Sequence, residues 1–209
     1  MALPPDWNFS KGITVSDYGD LVVLDQPSYV HESALLFGKI STAPNVSIWP
    51  NVVMRAEQYE IVIGEYCNIQ DFVMIHVGDV CGTYVGANCS ITHRVTLHGC
   101  EIGDNCLIGI NATVMDRAVI GANSIVAGHT IINQGTIIPP NSIVAGVPGK
   151  VIKTRNNWVA NRMNAWLYHV NAEGFAKGDH RTWSGEKYLA ERDAKFASLQ
   201  QEFAELPQN

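Results

Sequence analysis

Two histidines five residues apart, His93 and His98 in the run ITHRVTLHGC, interrupt an otherwise aliphatic, β-prone stretch. Imidazole is both the commonest side-chain metal ligand and a general base near neutral pH, so the pair points to one of those chemistries. Spacing restricts the choice. An extended strand advances about 3.3 Å per residue, which puts the two side chains roughly 15 Å apart along one face. A zinc to nitrogen bond is about 2 Å, so one chain does not easily bring both rings to one ion. What each ring can meet depends on the elements that hold it.

Those elements repeat every six residues. The unit reads aliphatic, small or polar, two turn-like residues, small, variable. Of 17 first positions between residues 42 and 144, 16 hold Ile, Val, Leu or Met, with Thr42 the exception. Fifth positions such as Val46, Cys67, Cys89, Cys106 and Ala112 are compact and are expected to point into a narrow interior. Hexapeptides of this kind build a left-handed parallel β-helix, three units or 18 residues to a triangular coil. Glycine recurs at the second position (Gly64, Gly86, Gly103, Gly109, Gly121), where the chain is expected to turn a tight corner and a missing Cβ to relieve crowding.

The spacing breaks three times, and each break begins in the hexad that carries Arg55, His76 or His98 at its second position. With the insertions subtracted, both intervals are 18 residues, so these three side chains are expected to stack in one column. The same count puts Gln70 under Thr92 and Asp71 under His93. His76 and His98 then lie about one strand spacing apart and can share an ion. His93 can join them only from a second subunit, as in a threefold assembly of parallel β-helices. Three histidines with an open fourth position make a catalytic rather than a structural zinc arrangement. Alternatively, histidines at solvent corners are ordinary polar surface.

The pattern ends near residue 150. The sequence divides into an N-terminal segment, 1–35, a β-helix domain, 36–153, and a C-terminal helical extension, 154–209. Helices are expected over 155–175 and 184–206, the second with Ser184 as N-cap and an apolar stripe of Leu189, Phe196, Leu199 and Phe203 that can lie along the β-helix wall. The fold class is therefore mainly β.

Composition narrows the partners. At 209 residues, 46% apolar, the chain can form one substantial core. A net charge of −6 gives no electrostatic reason to expect nucleic acid or an anionic membrane, which leaves small molecules and other protein chains. No apolar run approaches about 20 residues, and a soluble cytoplasmic protein is expected. Cys67, Cys89 and Cys106 fit core positions, and Cys100 reads as packing.

The runs SIWPNVVMRAE, NIQD, MIH, ITHRVTLHGCEIGDNCLIGINATVMD and VAGVPGKVIK resemble the gamma-class carbonic anhydrase-like hexapeptide-repeat proteins over roughly residues 30–153. The resemblance implies a lyase that hydrates CO2 reversibly, built as a homotrimer with three interfacial metal sites. It implies His76 and His98 as ligands from one chain and His93 as the ligand from its neighbour. It places Gln70 where the family orients the reacting solvent, and Arg55 with Asp71 on an intersubunit ion pair. The metal expected is zinc, although nitrogen ligands suit iron and cobalt as well. Two departures bear on rate: the family's Arg-x-Asp is Arg55-Ala56-Glu57 here, and VGDVCGTY after His76 lacks a long acidic loop. Glu57 is then the carboxylate expected to move protons. Rival readings are a hexapeptide-repeat acyltransferase or thioesterase acting on an acyl-CoA, and a metal-bearing trimer without catalysis.

Overall fold

A computed structural model describes residues 19–206. Short parallel rungs stack into a β-helix of three flat faces, followed by two helices. Face 1 carries Met74–His76, Thr96–His98, Thr113–Val114 and Ile131–Ile132; face 2 carries Thr83–Val85, Glu101–Ile102, Val119–Ile120 and Ile137–Ile138. Face 3 carries Tyr29–Val30, Ser47–Ile48, Asn68–Ile69, Ser90–Ile91, Leu107–Ile108, Ile125–Val126 and Ser142–Ala145. Two longer strands, Leu35–Thr42 and Val53–Ile63, run through the corner between faces 1 and 2 and join them into one hydrogen-bonded sheet.

Inward positions explain why so short a rung holds. The first-position aliphatics, from Ile48 to Val144, and the compact fifth positions Val46, Val52, Cys67, Val73, Cys89, Val95 and Cys106 are all buried in one continuous core. Each buried Ile or Leu contributes about 1.5–3 kcal/mol, and the parallel ladder pairs its backbone with the coils above and below. The stack begins before residue 36. Val22–Leu24 pairs with Leu35–Thr42, and Tyr29–Val30 pairs with Ser47–Ile48. The boundary at 36 is therefore too late, because Leu24, Val30 and Leu36 continue the six-residue spacing into the same core.

At the corner of each uninterrupted hexad the residue with positive φ is the fourth, as at Asn45, Asn88, Asn105 and Asn123. Asparagine tolerates this region, and its amides ladder along the corner between faces 2 and 3: Asn105 Nδ2 donates to Asn123 Oδ1 at 3.0 Å and Asn123 Nδ2 to Asn141 Oδ1 at 3.2 Å. Second-position glycine relieves crowding against the next coil, as expected. A Cβ on Gly109 would lie 2.6 Å from the Gly128 nitrogen.

Irregular spacing collects where the sequence count put it. Rungs separated by 21, 22 and 17 residues replace the usual 18, through extra or missing chain at the corner between faces 1 and 2. At the far end Lys150–Thr154 reverses and pairs antiparallel with Ser142–Ala145, and its turn caps face 1 through hydrogen bonds between Ile131 and residues Gly146 and Gly149.

Helix α1 (Trp158–Phe175) crosses the rungs of face 3, and α2 (Glu186–Glu205) returns along it. Polar groups help to seat α1: the buried Asn161 Nδ2 donates to the carbonyls of Asn105 (2.8 Å) and Ser124 (3.1 Å). Ser184 is not the N-cap of α2. Its hydroxyl closes the preceding turn on the Arg181 carbonyl at 2.6 Å, and Gly185 stands at the cap. Of the expected apolar stripe, Leu199 is buried, whereas Leu189 and Phe196 stay exposed.

Candidate metal centre

Register brings the polar residues to the two edges of face 1. Arg55 pairs with His76, and His76 with His98, on adjacent rungs at the corner with face 2. Gln70, Asp71 and His93 stand at the other edge, the corner with face 3. The half-buried Val53, Met74, Thr96 and Thr113 lie between the two groups. Both stacking relations inferred from the repeat are present, since Ile69 pairs with Ile91 and His93 Nδ1 lies 3.0 Å from Asp71 Oδ2.

Each of the three histidines faces one carboxylate. His76 Nε2 is 3.0 Å from Glu57 Oε2, His93 Nδ1 is 3.0 Å from Asp71 Oδ2, and His98 Nδ1 is 2.9 Å from Asp116 Oδ1. The remaining nitrogens of the first column, His76 Nδ1 and His98 Nε2, stand 3.0 Å apart. A nitrogen that holds a proton for its carboxylate leaves the other with a bare lone pair in a neutral ring. Two lone pairs then meet at hydrogen-bonding distance, which a shared proton or a cation relieves. Burial, followed by the nearby Arg55 and His98, holds the His76 pKa below the ordinary imidazole value, which disfavours the proton. The donor set therefore fits a divalent cation, for which two nitrogens with bonds of about 2 Å stand about 3.3 Å apart in tetrahedral geometry.

Among the described residues, no three His, Cys, Asp or Glu side chains converge as metal ligands. Two clefts flank the histidine pair. One, of about 250 Å³, is bordered by Arg55, Glu57, Gln58 and His76. The other, of about 380 Å³, is bordered by Cys81, His98, Asp116, Arg117 and Gln134. Glu57 links the first cleft to the pair, because its second oxygen contacts Arg55 Nη1. Arg55 and Asp71 thus have partners within the chain, Glu57 and His93 respectively.

Gln70 is buried and held by a polar chain that starts on helix α1. Ser90 Oγ donates to Asn164 Oδ1 (2.7 Å), Asn68 Nδ2 to Ser90 Oγ (2.9 Å) and Gln70 Nε2 to Asn68 Oδ1 (2.8 Å). Tyr168, also from α1, packs edge-on against Trp49 beside this edge. Burial, reinforced by the Asp71 carboxylate, pushes its hydroxyl up to about 12, so it remains a neutral donor at physiological pH. Asn171, one turn on, accepts from Thr182 and belongs to the join with the segment before α2.

Asp116 escaped the sequence count. The one-residue deletion after His98 puts Met115 in register over His98, and Asp116 over Gly99, across which its carboxylate reaches sideways. Asn68, Ser90 and Asn164 were missed too, since a link from helix to coil has no fixed spacing. The buried cysteines behave as core: burial raises the Cys100 thiol to about 12, and Cys89 and Cys106 lie well above their ordinary value.

Comparison with known proteins agrees with the fold and narrows the family. Residues 99–134 match the family described as bacterial transferase hexapeptide (six repeats). The chain superimposes on a hexapeptide transferase family protein from Anaplasma phagocytophilum with a TM-score of 0.71 and 28% identity, over 76% of this chain and 95% of that one. It is 31% identical over 137 residues to gamma carbonic anhydrase 2, mitochondrial, of Arabidopsis thaliana, spanning 63% of this chain and 49% of that protein. It is 48% identical over 124 residues to a probable carbonic anhydrase of Methanocaldococcus jannaschii, spanning 59% of this chain and 78% of the relative. On that match and on its hexapeptide coil, the chain belongs to the gamma carbonic anhydrase-like family of hexapeptide-repeat proteins.

Proposed function

We propose that the chain is a metal-dependent lyase that interconverts CO2 and bicarbonate at the subunit interfaces of a homotrimer. The observation that carries the reading is the facing of His76 Nδ1 and His98 Nε2 at 3.0 Å on one edge of face 1, with His93 on the opposite edge. His76 and His98 of one protomer and His93 of the next would hold the cation, zinc or alternatively iron or cobalt. When bound, such a cation lowers the pKa of coordinated water toward about 7. The protein supplies the remaining functions. Gln70, held at the His93 edge through Asn68 and Ser90, would orient the reacting solvent. Glu57, which contacts both His76 and Arg55 and borders an open cleft, takes the released proton and passes it to solvent. Arg55 and Asp71 lie at opposite edges of face 1, where a neighbouring protomer allows them to pair across the interface.

Metal content of protein purified without added metal, combined with a CO2 hydration assay, tests this reading. Stoichiometric metal with hydration supports it, and absence of both refutes it. One observation favours a second reading: His98 with Asp116 on Nδ1 has the arrangement of a carboxylate-oriented general base. In a hexapeptide acyltransferase or thioesterase such a base would act on an acyl-CoA reaction, and turnover of acetyl-CoA without metal would select it. Metal without either activity would select a non-catalytic trimer.

A further inference from the structure

We infer that Asp116 is a positioning residue that fixes which nitrogen His98 offers to the metal; this rests on the reading of His98 as a ligand. The Asp116 Oδ1 atom lies 2.9 Å from His98 Nδ1, so the Nδ1 proton is held and Nε2 is left bare, facing His76 Nδ1 at 3.0 Å. A carboxylate on the outer nitrogen of a ligating histidine sets ring orientation and tautomer and raises the basicity of the inner nitrogen.

Two glycines leave room for the carboxylate there. A Cβ on Gly78 would run into Asp116 Oδ1, and a Cβ on Gly99 would come within 2.6 Å of it. Gly78 has no positive φ, so clearance for the carboxylate, with Cys81 Sγ beside it, accounts for glycine at this position. The Asp116 backbone is tied separately: its carbonyl accepts from the Gly135 amide at 2.8 Å, and the Arg117 amide donates to the Gly99 carbonyl at 2.6 Å. The Asp116 side chain is about one-fifth exposed, which lets the ionic hydrogen bond persist with limited competition from water.

The test compares Asp116→Asn, Asp116→Ala and Gly78→Ala with the wild type by two readouts. Nitrogen NMR of the imidazole rings in metal-free protein reports the His98 tautomer. Cobalt titration against a competing chelator reports affinity. The wild type is expected to show His98 protonated on Nδ1. Asp116→Ala is expected to lose that preference and to bind cobalt roughly 10–100-fold more weakly. Gly78→Ala should shift both readouts in the same direction by displacing the carboxylate. Asp116→Asn, which preserves shape, should keep the tautomer and still lose affinity, and it serves if the alanine variant does not fold. Unchanged tautomer and affinity in the Asp116 variants would overturn the inference while leaving the metal reading intact. If the wild type binds no cobalt, the metal reading fails and the tautomer alone decides the role of Asp116.

Discussion

Complementation between two inactive proteins tests whether the metal site is shared between chains. His93 and His98 stand on opposite edges of face 1, separated by five residues of extended chain or roughly 15 Å, while metal bonds reach about 2 Å. If one ion needs His76 and His98 from one protomer and His93 from the next, His93→Ala and His98→Ala trimers should each be empty. Mixed trimers should not be. A site is whole only where a His93→Ala protomer supplies His76 and His98 and a His98→Ala neighbour supplies His93. Random assembly from equal amounts produces that order at about one interface in four. Each trimer that contains both variants holds just one intact site of three, so in the mixed trimers metal content and CO2 hydration should recover to about one third of wild type. The two proteins are co-expressed with different affinity tags, and doubly tagged trimers are isolated before metal analysis. Doubly tagged trimers as empty as their parents would refute the shared site, as would stoichiometric metal in His93→Ala alone.

Replacing Glu57 with Gln should slow steady-state hydration more than it lowers metal content; an equal loss of both would count against proton transfer by this carboxylate. Arg55→Ala should shift sedimentation equilibrium toward smaller species, and an unchanged assembly would argue that its bond to Glu57 is purely local. Gly109→Ala should lower stability by about 1–3 kcal/mol in urea unfolding, since the new Cβ, 2.6 Å from the Gly128 nitrogen, meets backbone that cannot move aside. Burial holds the His169 pKa below the ordinary imidazole value, partly opposed by Glu173. Below about pH 6.5 the unfolded chain therefore binds a proton that the folded chain resists, and stability falls as pH falls through that window. Denaturant midpoints for wild type and His169→Gln should diverge there and agree above pH 7; parallel profiles would refute the assignment.

The parts of this protein readable in sequence are those governed by period. Aliphatic residues six apart gave the rungs, and subtraction of the three irregular intervals placed Arg55, His76 and His98 in one column and Asp71 under His93. Leu24, Val30 and Leu36 kept the same period and still escaped, since the count began at Thr42. Second-position glycine, set by crowding against the next coil, follows the same period, whereas the left-handed backbone falls at the fourth positions, where asparagine recurs. Asp116 and the chain from Asn164 through Ser90 to Gln70 belong to another class. They depend on side chains reaching sideways or across from a helix, and no spacing along the chain encodes such a reach.

Identical rungs stacked in parallel contain no instruction about where to stop, and a coil that can accept one more rung of itself can accept a rung from another molecule. The reversed strand Lys150–Thr154 supplies that instruction. It occupies the hydrogen-bonding edge of the last face 3 rung in the antiparallel sense and carries Lys150 and Lys153 on its exposed surface. A second molecule therefore meets a short, lysine-bearing edge strand that runs in the wrong direction to continue face 3, which disfavours growth by end-to-end addition there. The end of face 3 is thus marked by a change of strand direction, independently of the chemistry several coils below.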